Sequence, residues 1–383
     1  MVQFFHLPTE VIAGAGTVSR LGTLAGRFGP RVILVTDSFL ATTPAFHKVR
    51  KSLVDARAEV AIITGAKPEP TTGDVAAIMK ELGAANVDLA VAFGGGSVMD
   101  VTKAICILLK NEGPIERYDG TGVYTNPPVP LIAIPTTAGT GSEVSASLNV
   151  TDTQGNAKLS VRHRWNRPAV AILDPEMMAG IPLRVALFPA IDAVTHALEA
   201  YVSRGANSFS DAFATQALKL FGESFEPFLA DTHALKHAES MLIGSAMAGV
   251  AFNIARTGYV HCLSRAIGGR IKIAHGHACA LGLPTIVTFN ATHAKSRLAN
   301  AARLLLPASA SSAKSEDQLV AQLADYFREL ATCFKYESRL SSFGLTAADL
   351  PPMAAYATSL KYELWNPRPA TEAELTGLLK EFL

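Results

Sequence analysis

The segment VDLAVAFGGGSVMDVTKAICILL (87–109) decides how the chain is read. Seven mostly apolar residues form a strand candidate, three glycines turn the chain, and a helical pattern follows. An apolar strand that passes through glycines into a helix belongs to a parallel sheet covered on both faces. The same alternation extends in both directions. VILVTD (32–37), AEVAIIT (58–64), PLIAIPT (130–136) and AVAILDP (169–175) read as further buried strands. Residues 42–56 and 73–83 read as helices, the second following the turn KPEPTTG (67–73) with Thr72 as its cap. Beyond Pro182 the strand candidates vanish. Helical periods run over 191–202, 208–223, 233–256, 259–267, 276–288, 293–304, 315–333, 347–360 and 371–382, with a loop at 308–315. The expected architecture is a Rossmann-like α/β domain over 1–180 and an all-helical domain over 181–383.

Composition narrows the function classes. At 383 residues, 49% of them hydrophobic and 17% charged, the chain can bury a large core. Lys and Arg total 34 against 33 for Asp and Glu, so no basic surplus draws nucleic acid. Cys106, Cys262, Cys279 and Cys333 form no CxxC pair and read as buried free thiols of a reducing compartment. No apolar run of about 18 residues and no signal-like start is evident, so the expected location is the cytoplasm, away from membranes.

The glycines have a physical use. Gly94, Gly95, Gly96 and Ser97 stand between a strand and a helix, where backbone N–H groups and the helix N-terminus favour a phosphate. The loop matches neither GxGxxG nor the Walker pattern, and a plain tight turn is the competing reading. TTAGTGSE (136–143) is a second loop of small hydroxyls and glycines after a strand. Two such loops favour a dinucleotide site. Asp37 ends the first strand, where a carboxylate binds ribose hydroxyls and repels a 2′-phosphate, favouring NAD over NADP.

DAVTHALEAYVS (192–203) places Asp192 and His196 on one helical face, four residues apart in an apolar run. VHCLSRAIGG carries His261, and IAHGHACALG carries His275 and His277. Three histidines and an aspartate suit a divalent first-row ion, Fe²⁺ or Zn²⁺, whereas each histidine alone reads as an ordinary core residue. His277, two residues past His275, points elsewhere on a helix and lines a site without ligating.

Taken together, GGGSVMDVTKAI, PLIAIPTTAGTGSEV, DPEMMAGIP, DAVTHALEAYVS, the His261 segment, HGHACALGLP and WNPRP resemble the iron-containing (group III) alcohol dehydrogenase family, nearly end to end. The resemblance implies an NAD(P)-binding α/β domain of the Rossmann-like, dehydroquinate synthase-like kind and a helical catalytic domain, with the active site in the cleft between them. It implies metal ligation by Asp192, His196, His261 and His275, and pyrophosphate over Gly94 to Ser97. Asp100, Thr136, Thr137, Thr140 and Ser145 would serve the cofactor, with Lys158 near a ribose. It further implies a homodimer or larger homo-oligomer acting on a small alcohol or aldehyde by hydride transfer with NAD. His275, His277 and Arg265 stand as catalytic candidates.

The chain departs from the family pattern in places. Arg265 stands where many relatives carry a histidine able to relay protons, and arginine stays protonated near pH 7. Arg256-Thr257-Gly258 replaces a frequent GLG, and Pro189-Ala190 replaces Thr-Gly. Arg265 shares a face with His261 and, if it reaches the substrate, favours an anionic one; pairing with a carboxylate or a cofactor phosphate is the alternative. Phe252, Tyr362 and Trp365 are candidates for the pocket wall. Glycerol dehydrogenase-like and dehydroquinate synthase-like enzymes, and a catalytically silent relative, remain alternatives.

Overall fold

In the computed structural model, which describes residues 3, 5–152, 158–307 and 314–383, the expected strands pair in one parallel sheet. In chain order the strands are β1 Glu10–Ala13, β2 Arg31–Val35, β3 Glu59–Ile63, β4 Leu89–Gly94, β5 Gly120–Thr121, β6 Leu131–Pro135, β7 Ser147–Thr151, β8 Lys158–Arg162 and β9 Val170–Leu173. The main sheet runs β1-β9-β6-β4-β2-β3, and a smaller one runs β5-β8-β7. β4 and β6 are buried at every position, which accounts for their unbroken apolar runs. Alternate residues of β2 serve opposite layers. Val32 and Leu34 pack with Phe46, Phe93 and Ile172, while Ile33 and Val35 pack with Val98, Met99 and Ile105.

Helices α1 Leu21–Ala25, α2 Pro44–Asp55, α3 Thr72–Leu82 and α4 Gly96–Leu108 cover these faces. Thr71, not Thr72, caps α3. Its hydroxyl accepts from the Asp74 N–H while the Asp74 carboxylate accepts from the Thr71 N–H, so the cap falls one residue before the expected one.

The rest of the chain is helical: α5 Leu183–Val202, α6 Ser208–Ala230, α7 Leu235–Ala255, α8 Tyr259–Gly268, α9 His275–Leu305, α10 Glu316–Phe334, α11 Leu350–Ser359 and α12 Glu372–Glu381. Contacts divide the chain into an α/β unit of 6–182 with 230–246 and a helical unit of 1–5, 183–229 and 247–383. α5 begins at Leu183 rather than 191 and carries Pro189 inside it, where a proline removes one helical N–H. The helices expected at 276–288 and 293–304 join as α9, bent at Ala294 where φ is −135°. Of the loop expected at 308–315, residues 308–313 lie outside the described residues, and Ser315 caps α10. Cys333 is exposed, a correction to its expected burial, whereas Cys106, Cys262 and Cys279 are buried. Leu183–Val202 and Leu235–Ala255 have the length and apolarity of a membrane span, yet 83% and 67% of their apolar windows are buried in the protein, as in core helices.

Candidate nucleotide loops and metal centre

In the α/β unit, β2 leads through α2 to β3 on one side, and β4 leads through α4 to β6 on the other. The crevice at the carboxyl ends of β2 and β4 is therefore a topological switch point, where open α/β sheets bind ligands. Gly94 to Ser97 and Asp37 border it. Thr36 Oγ1 ties the two strands by donating to the Phe93 carbonyl at 2.8 Å. α4 starts with no side-chain cap, so its first N–H groups are available to an anion. A Cβ on Gly96 would stand 2.5 Å from Thr140 Cγ2, so any side chain here presses the second loop aside. Asp37 Oδ1 accepts from the Leu40 N–H at 2.8 Å, which fixes the turn after β2.

The second loop is held from below by buried charge. Lys103 Nζ donates to Ser142 O and Oγ at 2.7 and 2.8 Å and to Ser147 O at 3.0 Å. Asp100 accepts from Ser142 Oγ at 3.2 Å and from the Asn149 N–H at 3.0 Å. Burial raises Asp100 to about 6 and Glu143 to about 7, and lowers Lys103 to about 8. Thr140 Oγ1 accepts from the Ser142 N–H, and the Thr136 N–H donates to Gly94 O. Ser145 Oγ donates to Ser147 O. Thr137 Oγ1 lies 3.2 Å from the place a Cβ would take on Gly95. Lys158 pairs with Glu69 at 2.5 Å.

In the helical unit, α5, α8 and α9 bring the histidines together. Asp192 Oδ1 lies 3.4 Å from His261 Nε2 and 3.7 Å from His275 Nε2. Donors about 2.1 Å from one ion stand roughly 3–3.5 Å apart, so the spacing fits a bound cation. Ligand atoms of Asp192, His261, His275 and Cys279 all lie within 4.8 Å of one another. His196 Nδ1 is 3.8 Å from Asp192 Oδ2, and its ring stacks on His261 at 4.4 Å. His261 Nε2 is buried without a hydrogen-bond partner among the described residues. Burial favours a neutral Asp192, but His196, His275 and His261 outweigh it and hold the carboxyl well below its usual range. Burial likewise opposes charge on His261, yet Asp192 and Glu199 raise it to about 9. The raised His261 marks a negative field at that ring, which favours a cation, while the lowered Asp192 is a carboxylate kept ionised by the histidines around it. The His275 side chain is 34% exposed, so the cluster is reached from that side.

Two members escaped the sequence reading. Glu199 lies on α5 one turn beyond His196. It accepts from His261 Nδ1 at 2.6 Å and from the Val260 N–H at 2.7 Å. One carboxylate thus caps α8 and turns His261 Nε2 toward the cluster. A second buried acid in the run that drew attention to Asp192 was the available signal. Cys279, four residues after His275, has its Sγ 3.7 Å from Asp192 Oδ1. The i,i+4 spacing in HGHAC was its signal.

The remaining candidates separate. Phe252 stacks on His196 at 4.4 Å. His277 lies flat on Phe188 at 4.2 Å and donates from Nε2 to the Glu337 carbonyl at 2.7 Å, and burial lowers its pKa. Arg265 acts on Tyr362, and Trp365 packs under Arg256 and beside Gly205. The WNPRP segment contributes Asn366, which accepts from the Tyr259 N–H at 3.1 Å and exchanges bonds with Asn290.

The comparisons with known proteins bear on the same two units. The family profile "Iron-containing alcohol dehydrogenase" matches residues 8–175, and "Fe-containing alcohol dehydrogenase family, C-terminal" matches 188–383. The NAD-dependent methanol dehydrogenase of Bacillus methanolicus is 34% identical over 100% of both chains. The sulfoacetaldehyde reductase of Bilophila wadsworthia is 31% identical over 99% of both. A crystal structure of 1,3-propanediol oxidoreductase superposes with a TM-score of 0.94 at 31% identity, covering 100% of each chain. The chain belongs to the iron-containing alcohol dehydrogenase family, whose members interconvert alcohols and aldehydes with nicotinamide cofactors and iron.

Proposed function

We propose that the chain interconverts a small alcohol and its aldehyde or ketone, with NAD rather than NADP as hydride carrier and a divalent ion held by Asp192, His196, His261 and His275. The observation that carries this reading is the buried cluster in which ligand atoms of Asp192, His261 and His275 lie within 4.8 Å of one another, open on the His275 side. An ion there supplies Lewis-acid polarisation of the reacting C–O group, and the nicotinamide supplies the hydride. In the reducing direction, R–CHO, NADH and H⁺ give R–CH₂OH and NAD⁺.

The chain's own residues bind and orient. Gly94, Gly95, Gly96 and Ser97 hold the pyrophosphate on backbone amides. Thr136, Thr137, Thr140 and Ser145 flank the nicotinamide half, Asp100 supports that loop through Ser142, and Lys158 stands near the ribose. Asp37 accepts ribose hydroxyls and repels a 2′-phosphate. Glu199 keeps the proton of His261 on Nδ1 and so leaves Nε2 for the ion. Arg265 remains protonated, so the exchanged proton passes through solvent rather than through this residue. His277 anchors α9 beneath His275. The protein is read as a cytoplasmic homodimer or larger homo-oligomer, an assembly that light scattering measures directly.

Anaerobic kinetics on Fe²⁺-loaded protein test the reading. Oxidation of NADH with small aldehydes, abolished by chelator and slower with NADPH, is expected. Turnover indifferent to metal removal would overturn the metal assignment, and a preference for NADPH would overturn the role of Asp37.

A further inference from the structure

Two arginines of the helical unit converge on one tyrosine. Arg265 follows His261 by one turn of α8, and its guanidinium and the Tyr362 side chain act on one another. Arg256 also acts on Tyr362, and its guanidinium lies 5.6 Å over the Trp365 ring. Both are partly buried. Among the described residues, neither makes an ion pair with a carboxylate. Burial raises both Tyr362 and Cys262, which act on Arg265, so neither supplies it a negative charge at pH 7. Two partly buried cations with no paired carboxylate among the described residues favour an anionic guest.

That corner is tied to the metal cluster by two routes. One is the single helical turn from His261 to Arg265, about 5–6 Å of rise. The other runs from His196 through Phe252, stacked on it at 4.4 Å, to Arg256, whose N–H donates to the Phe252 carbonyl at 2.8 Å. Arg256 also stands at φ 71°, the left-handed region that side chains rarely adopt.

We propose that Arg265, one helical turn from His261, and Arg256, seated over Trp365, form a subsite for an anionic group at the far end of a short aldehyde or alcohol: a sulfonate, phosphonate or carboxylate a few bonds from the reacting carbon. Guanidinium forks bind such oxyanions through paired, charge-assisted hydrogen bonds. The proposal rests on the oxidoreductase reading above and adds the substrate class to it.

The test compares sulfoacetaldehyde, phosphonoacetaldehyde and succinic semialdehyde with propionaldehyde and butyraldehyde on the Fe²⁺-loaded protein. It uses wild type, Arg265→Gln and Arg256→Gly. The wild type is expected to favour at least one anionic aldehyde in kcat/KM. The anionic-to-neutral ratio should fall about 10–100-fold in each variant, mainly through KM. Arg256→Gly relieves the left-handed backbone, so its melting temperature should not drop, which separates lost recognition from lost folding. Calorimetric titration with propane-1-sulfonate reads the subsite without turnover. Neutral aldehydes reduced as well as anionic ones, with the ratio unchanged in both variants, would overturn the subsite and leave the reaction standing. Propane-1-sulfonate bound by wild type but not by Arg256→Gly, with no aldehyde turned over, would uphold the subsite and overturn the reaction. Failure of both binding and turnover would overturn both.

Discussion

The glycine crevice of the α/β unit and the histidine cluster of the helical unit are built by opposite means. The first is made of backbone. Its parts are two short contiguous loops at strand ends, and its chemistry depends on what is missing, since a Cβ on Gly96 would meet Thr140 at 2.5 Å. The second is made of side chains. Asp192, His261 and His275 come from three helices, and their chemistry depends on burying polar groups whose mutual field replaces water. A backbone site fails when atoms are added; a side-chain site fails when atoms or charges are removed.

The comparison has one deliberate exception, and it carries the largest expected effect. Gly276 sits between His275 and His277, and a Cβ there would stand 2.0 Å from the Phe188 carbonyl oxygen of α5. Neither backbone can yield locally, so Gly276→Ala should push α9 off α5 at a cost of about 3 kcal/mol or more. Thermal unfolding and metal content should fall together. A variant with wild-type stability and full metal would show that helix spacing does not set the cluster.

Buried charge under the second loop gives the next effect. Glu143 is raised to about 7 from 4.5, chiefly by burial. Between those values the unfolded chain has released its proton while the folded chain keeps it. Stability attributable to Glu143 therefore falls as pH rises through that window, by on the order of 2–3 kcal/mol. Glu143→Gln should flatten this part of the profile and gain stability relative to wild type at pH 8. Denaturant unfolding between pH 4.5 and 8 measures it, and an unchanged slope would remove Glu143 from the account.

Glu199→Gln probes the histidine cluster more gently, because the amide preserves shape and removes charge. Loss of a carboxylate that orients a metal-ligating histidine costs about 10–100-fold in metal affinity. Competition against a chelator should show this while the fold persists. Undiminished affinity would mean that Glu199 serves α8 as a cap and nothing more.

The contrast also explains what the sequence disclosed. The parallel sheet was legible because β4 and β6, buried on both faces, write themselves as unbroken apolar runs. β7 and β8 were not, because SLNVT and KLSVR alternate buried and half-buried positions in a small separate sheet and look like loop. The glycine loops were legible because their parts are adjacent. Asp192 and His196 stood out as polar residues in an apolar helix. Glu199 met the same criterion and was passed over, because helical spacing shows which residues share a face but not which distant helix meets them. Cys279 reads from sequence as a plain buried thiol for the same reason. Arg265, Tyr362 and Trp365 could be named as pocket residues, but Arg256 could not, because its place over Trp365 joins residues about a hundred positions apart and rests on a left-handed backbone.

The smallest expected effect sharpens the contrast most. Gly96→Ala adds one methyl group, and the atom it meets is a threonine side chain that can shift. A loss of about 1 kcal/mol in stability and about tenfold in NAD affinity is expected, with metal content unchanged. Thr140→Ser removes the crowded Cγ2, so the double variant separates two causes. If Gly96 only makes room for its neighbour loop, both stability and NAD affinity return. If the amides of that turn receive the pyrophosphate, the added Cβ still blocks their approach. Stability then returns while NAD affinity does not, and this second outcome is the one a site made of backbone requires.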